Sequence, residues 1–494
     1  MSKEYVIAFD QSTQGTKALL FDQDGNIVAR HDESHKQYIS PEGWISHDAL
    51  EIYGNVIKAA RNLIDKSGVD RKNIRCIGIS NQRETTLAWN RKTGIPYDMA
   101  VVWQCNRAEK VCNQIARTCN PDKDIYEVTG IKLTPYYPAS KMAWLLANTE
   151  GLLQDAQNGI AALGTIDSWL VYKLTDGNDF YTDYSNASRT QLMNLDTLKW
   201  DDNVCGIFGV PQSALANIID SDSVFGRTDL EGILPEKVPI CGVLGDSHAA
   251  LYGHNCRREG EIKATYGTGS SIMMNTGRRP IRSKHGLTTS LAWKVGGEVN
   301  YVLEGNINYT GAVFSWLKDD VKLIDSSKEI EMLAKEANPD DTTYIVPAFS
   351  GLGAPWWANN AKAAIIGMTR NTGKNEIINA GCESIALQIN DVIEAMRQDT
   401  GLEINELCVD GGPTRNDLVM QDQSDFSHLR VKIPSAEELS AIGAAYLAGT
   451  SLGLYDKRVY NSISYKYFSS KMSDSRRSLK LNGWKSAIDA VIKS

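Results

Sequence analysis

The chain contains no run approaching eighteen uninterrupted apolar residues and no long apolar stretch ahead of Asp10, so neither a membrane span nor a signal peptide is expected. It also lacks paired cysteines. The nine present are odd in number and scattered from Cys76 to Cys408 without a CxxC, which disfavours a disulfide framework or a zinc site and fits reduced thiols in a cytoplasmic protein. Basic charge is not in excess, and a net charge of -8 argues against nucleic acid as the main partner. The seven histidines form no clustered ligand set, so a metal hydrolase is not indicated. A P-loop is missing as well: Gly367 to Asn375 comes near G-x-x-x-x-G-K-[ST] but has the wrong spacing and no final hydroxyl.

What is present begins with a hairpin, Tyr5 to Asp22. An apolar strand runs into Asp10 and a polar turn, Gln11 to Gly15, before a second apolar run from Ala18. Such a turn either lies at the surface or presents N–H groups and small hydroxyls to a phosphate. In the second reading Asp10 holds a metal bound to phosphate, and Ser12, Thr13, Gln14 and Thr16 are donors. A related stretch follows Glu261 to Ala264, with Thr265-Tyr266-Gly267-Thr268-Gly269 leading into Ser270-Ser271-Ile272. Two such hairpins suggest two similar domains facing one nucleotide. At 494 residues the chain exceeds a typical single core. The boundary is expected within 251 to 262, giving domains 1–253 and 254–494.

Between the hairpins, Asp48 to Ile64 has helical periodicity and a capping box in Asp48 and Glu51. Ile74 to Ser80 reads as a parallel strand. It ends at Asn81-Gln82-Arg83-Glu84-Thr85-Thr86, where open α/β sheets place ligands; Arg83 and Glu84 suit a polyhydroxylated ligand or a surface ion pair. Val101 to Gln104 reads as a strand leading to a helix over 106–118, with Trp103 either core or ligand-facing. Asp183 to Ser188 reads as a polar loop. Asp246, after the Val238 to Leu244 strand, reads as a helix N-cap or as a base for a substrate hydroxyl. His248 either perturbs that base or packs within the helix.

In the second half, Gly311 to Lys318 and Ile377 to Met396 read as helices. Asp410-Gly411-Gly412 is a tight glycine turn suited to close approach by a ligand, although such turns also occur without one. Ser435 and Glu438 form a second capping box ahead of a helix with a small-residue face, Gly443-Ala444-Ala445. Residues 457 to 480 read as a peripheral, partly mobile tail.

Together these stretches resemble the FGGY family of sugar and polyol kinases, and most closely its glycerol-phosphorylating members. The resemblance covers about residues 5 to 455 and is carried by Asn81 to Thr86, Val102-Trp103-Gln104-Cys105, Pro135 to Leu146, Asp183 to Thr190, Gly245-Asp246, Thr265 to Gly269, Gly351 to Pro355 and Asp410-Gly411-Gly412. It implies an α/β fold of two actin-like, ribonuclease H-like domains with ATP in the cleft between them. It also implies phosphorylation of glycerol to glycerol 3-phosphate and a homo-oligomer, dimer or tetramer. Asp246 would be the general base, and Asp10, with Asp246, would organise Mg²⁺. Arg83, Glu84, Tyr136 and Asp246 would hold the acceptor hydroxyls, Trp103 would pack on its carbons, and Ser247 and Ser271 would line the same pocket. Ser12, Thr13, Gln14, Lys17, Gly267 and Thr268 would lie near the phosphates, and Gly311, Gly411, Gly412 and Asn416 around the adenosine.

Departures from the pattern fall at three places. The glycerol-phosphorylating members carry Gln after the catalytic Asp and Phe two residues beyond the YGTG turn, where this chain has Ser247 and Ser271. An amide and a ring replaced by small hydroxyls imply a roomier, more polar pocket, open to a larger polyol or ketose such as erythritol, xylitol, xylulose or ribulose. Gln14-Gly15-Thr16-Lys17 likewise replaces small hydroxyl residues and Arg. A non-catalytic binding protein on the same fold is the reading from another class, and the presence of both Asp10 and Asp246 speaks against it.

Overall fold

The computed structural model describes residues 3–493; positions 1, 2 and 494, the outermost residues of the two expected domains and part of the stretch ahead of Asp10, lie outside it. Two mixed sheets dominate, and they repeat one topology. In the first, Tyr5–Gln11, Gly15–Phe21 and Ile27–Ser34 form an antiparallel meander, and Tyr5–Gln11 then pairs in parallel with Ile74–Asn81, which pairs in parallel with Val238–Gly245. In the second, Ile262–Tyr266, Ser270–Gly277 and Glu298–Ile307 form the meander, and Ile262–Tyr266 pairs in parallel with Glu406–Gly411, which is followed by Arg430–Pro434. This duplication is the two-domain actin-like architecture. The central strands, such as Tyr5 to Gln11, are buried along their whole length, as strands covered on both faces must be.

Helices cover the sheets where the apolar period demands it. Ala49–Ser67 lays Ile52, Val56, Ala59, Ala60 and Leu63 onto the first sheet. Its Asp48 accepts the Leu50 and Glu51 N–H groups, but Glu51 does not return the bond; its carboxylate takes the Lys36 N–H, so only half of the expected box forms. Lys374–Thr400 plays the covering role in the second sheet. Leu439–Ser451 does something less local. From the C-terminal half of the chain it packs on the first sheet and crosses Asp246–Gly253 at backbone contact: a Cβ on Gly443 would sit 1.8 Å from the Ala249 carbonyl oxygen. The small-residue face therefore serves close packing, as the sequence suggests.

Other local expectations change. The second capping box is absent, because Glu438 is drawn to Lys17 and Arg30 and Ser435 accepts the Ser464 N–H. The strand before Trp103 is only Ala100–Val101, since Val102 already turns to receive the Cys105 N–H, and the following helix begins at Glu109. Asp183 to Ser188 is not a loop: Asp183 caps a buried helical turn, Tyr184–Ser188, by accepting the Ser185 and Asn186 N–H groups. The tail is peripheral, with its strand at the edge of the second sheet, but it is anchored. Tyr460 donates to the Tyr252 carbonyl, Tyr465–Phe468 extends the second sheet, and the Asp474–Lys493 helix buries Trp484 and pairs Lys480 with Glu383 at 2.9 Å. Among the described residues no helix is long and apolar enough to cross a membrane.

Candidate active site

The strand ends of both sheets converge on one region. Asp10 leaves its strand opposite Ser80, whose hydroxyl donates to Oδ1 at 2.8 Å, and Lys17 Nζ stands 4.0 Å from Oδ2. Burial pushes Asp10 up to about 6, against Lys17 and Ser80, and the charge of Asp246 adds to the rise. A carboxylate so placed lacks a sufficient buried cation. Lys17 is also shared, with Glu438 Oε2 at 2.7 Å. Ser12 bonds back to Gly15, Gln14 accepts the His35 N–H through its carbonyl, and Thr13 accepts the Trp103 indole N–H at 2.9 Å. The first hairpin is thereby tied to the pocket wall.

That wall contains the predicted acceptor residues. The Trp103 and Tyr136 rings meet edge to face with centroids 5.5 Å apart, and both are half-buried, so Trp103 is not core. Tyr136 is set by Lys141, a buried ammonium that donates to the carbonyls of Pro135, at 2.6 Å, and of Tyr136, and that burial pulls down to about 7. Asp246 is the first residue of its helix, whose N-cap is Gly245, so the capping role is not the one it fills. Its Oδ1 receives the Ser247 N–H at 2.6 Å and Arg83 Nε at 3.1 Å, and its side chain remains 36% exposed to the cleft. His248 is fully buried with Nε2 3.4 Å from Ser290 Oγ; burial and the Arg83 charge hold it well below the usual imidazole range, so it is neutral packing beneath Asp246.

Two buried charges that no sequence motif marks lie beneath the pocket. Glu304 receives Arg83 Nη1 at 2.9 Å and Nη2 at 2.8 Å, and Arg189 gives Nε to Glu84 Oε1 at 2.6 Å. Ser247 and Ser271 both join this group, the first accepting from Arg83 Nη2 at 3.1 Å and the second donating to Glu304 Oε1 at 2.8 Å. The signal for Glu304 is a lone carboxylate following the apolar Tyr301-Val302-Leu303, and for Arg189 a cation at the end of the polar 183–190 stretch.

The predicted nucleotide residues gather on the other side. The second hairpin tip closes on itself, Gly267 N–H to Gly269 carbonyl, and receives the start of the Gly311–Ser315 helix through Gly311 N–H to Gly267 and Ala312 N–H to Thr268. Gly411 has φ +99°, and a Cβ there would lie 2.0 Å from the Tyr266 carbonyl oxygen, whereas a Cβ on Gly412 would meet nothing. The glycine pair thus packs on one side and is open on the other. Asn416 caps the Asp417–Ser427 helix by accepting two N–H groups.

The N-terminal domain profile of the FGGY family of carbohydrate kinases matches residues 5–253, and the C-terminal domain profile matches residues 262–452. The chain belongs to this family. Within it, the chain is 45% identical to glycerol kinase 1 of Thermotoga maritima over 491 residues, 99% of each chain. The crystal structure of Plasmodium falciparum glycerol kinase with ADP superposes with a TM-score of 0.93 at 36% identity, covering 99% of this chain and 98% of that one. Ligand-bound xylulose kinase from Lactobacillus acidophilus gives 0.89 at 21% identity over 99% of this chain and 97% of that one, a likeness of fold alone. As an FGGY kinase, the chain is a phosphotransferase acting on a carbohydrate or polyol hydroxyl.

Proposed function

We propose that this FGGY kinase phosphorylates glycerol to glycerol 3-phosphate with ATP. The observation that carries the reading is the Arg83, Glu84, Trp103, Tyr136 and Asp246 group around one opening, with full-length identity to glycerol kinases beside it. Arg83 and Glu84 take the acceptor hydroxyls that are not transferred, and the Trp103 and Tyr136 rings cover its carbons. Asp246 accepts the proton of the attacking hydroxyl; its two bound donors both fall on Oδ1, so Oδ2 is the atom assigned to the proton. The hydroxyl oxygen bonds to the γ-phosphorus as the bond to the β-phosphate oxygen breaks and ADP departs. In-line placement and dispersed charge carry most of the catalysis. Thr268 and the Gly267 turn flank the phosphates with Ser12, Thr13 and Gln14, while Gly311, Gly411, Gly412 and Asn416 flank the adenosine. In this division residues 1–253 bind the acceptor and 254–494 the nucleotide.

The carboxylates fit Mg²⁺ carried in on the nucleotide. Asp10 is short of positive charge, Asp246 is close enough to raise it, and no group of three or more His, Cys, Asp or Glu able to hold an ion by themselves occurs among the described residues. Asp10 and Asp246 would hold the ion through its water shell, and it would neutralise charge on the phosphates. The nine unbridged thiols suit a cytoplasmic setting, and a dimer or tetramer is part of the same proposal.

A larger acceptor is the second reading, favoured by Ser247 and Ser271. Initial rates of ADP release with ATP and Mg²⁺, compared as kcat/KM across glycerol, erythritol, xylitol, ribitol, xylulose, ribulose and dihydroxyacetone, separate the two. Preference for glycerol is expected; preference for a four- or five-carbon acceptor would replace glycerol as the substrate.

A further inference from the structure

Arg83 and Glu84 are neighbours in the chain, yet a carboxylate from the other half of the molecule organises both. Glu304 has no exposed side-chain surface. It takes both terminal nitrogens of Arg83, and Arg189 Nη1 lies 2.6 Å from its Oε2. Arg189, 1% exposed, passes the constraint on through Nε to Glu84 Oε1 and lies over the Tyr137 ring at 5.1 Å. Two cations and two carboxylates alternate: Arg83, Glu304, Arg189, Glu84. Although burial opposes it, the two arginines hold Glu304 well below the usual carboxylate range, so the chain of charges is complete. Glu84 itself has φ +61°, a region non-glycine residues occupy only where their surroundings fix them.

Neither Glu304 nor Arg189 opens to the cleft, so neither touches an acceptor. Buried charges of this kind give little net stability compared with apolar packing, which directs attention to what they hold. Arg83 has five N–H donors, and with Nη1 and Nη2 engaged by Glu304 it reaches Asp246 through Nε alone. Released from Glu304, its fork would be free to close bidentately on Asp246 and occupy the oxygen assigned to the substrate proton. We propose that Glu304 and Arg189 are positioning residues of the acceptor site, Glu304 keeping Arg83 off the second oxygen of the base and Arg189 fixing Glu84. This rests on the acceptor pocket proposed above.

The two residues differ in what they control, so their variants split the kinetics differently. Arg189→Lys keeps the charge but loses the Nε donor that holds Glu84; glycerol KM is expected to rise about tenfold with kcat within about twofold of wild type. Glu304→Gln frees Arg83 onto Asp246, so kcat falls by about tenfold or more as glycerol KM rises, and Glu304→Asp recovers part of both. The KM for ATP stays within about twofold throughout. Should Glu304→Gln fail to fold, Arg189→Lys and Glu304→Asp decide the matter by the same split. Unchanged glycerol KM in Arg189→Lys, or parallel rises in the glycerol and ATP constants, would overturn the positioning roles while leaving the kinase reading intact. A wild-type enzyme that turns over none of the polyols would take down both.

Discussion

The two hairpins occupy equivalent places in equivalent sheets, yet their acid and hydroxyl are exchanged. In the first sheet the carboxylate sits on the hairpin strand and the hydroxyl on its parallel neighbour, Asp10 with Ser80; in the second the hydroxyl is on the hairpin strand and the carboxylate on the neighbour, Thr265 with Asp410 at 3.1 Å. Their charge balance differs too. Asp410 is met by His254 Nε2 at 2.6 Å, and despite burial this partner holds it below the usual carboxylate range, while the same contact lifts His254 to about 9 against its own burial. Asp10 has only a shared Lys17 at 4.0 Å and rises to about 6. A compensated buried carboxylate is structure; an uncompensated one at a cleft fits the cation proposed to arrive with the nucleotide.

Neutralising each carboxylate should therefore have opposite consequences. Asp10→Asn should lower the phosphorylation rate by more than about 100-fold, because charge stabilisation worth several kcal/mol is lost. The same variant should raise the stability of the nucleotide-free protein by about 3 kcal/mol at pH 7. The sign follows from the raised value: folded Asp10 binds its proton more tightly than the unfolded chain does, so its penalty grows from about pH 4 to pH 6 and then levels. Urea denaturation at pH 4.5 and 7 checks this, and an equal difference at both would contradict it.

Asp410→Asn should instead cost about 3 kcal/mol, since it leaves His254 buried without its partner. In the wild type, the stabilisation from the raised His254 is fully present below pH 6.5 and lost as the pH climbs toward 9. Urea midpoints should fall across that window in the wild type and lose most of that slope in Asp410→Asn. A smaller effect is expected at the hairpin's outgoing strand. Ser271→Phe should fill space beside Glu304 and lower the erythritol-to-glycerol ratio of kcat/KM by about fivefold. An unchanged ratio would place Ser271 outside the acceptor pocket.

Much of the architecture was legible because it follows from period and punctuation. Apolar runs on either side of polar turns mark both hairpins, and the motifs at Asn81 to Thr86, Gly245-Asp246 and Asp410-Gly411-Gly412 lie where strands end. What escaped depends on distant partners. Glu438 reads as half of a local cap until Lys17 and Arg30, over four hundred residues away in sequence, claim it at 2.7 and 2.6 Å. Asp183 to Thr190 reads as a loop because its polarity resembles solvent exposure, when its groups satisfy one another inside the protein, as Asn186 does with Asn81 at 2.9 Å. Glu304 and Arg189 belong to the same class, since a buried ion pair has no sequence spacing. The chain beyond Leu452 carries no ligand motif, and its anchoring through Tyr460, Lys480 and Trp484 is equally non-local.

The most direct test is the rate of glycerol 3-phosphate formation by Asp246→Asn beside the wild type, with ATP affinity measured on both proteins. If Asp246 takes the proton of the attacking hydroxyl, the rate falls by about 1,000-fold or more while ATP binds within a few-fold of wild type. Near wild-type turnover in Asp246→Asn would contradict the assignment and remove the base from the centre of this site.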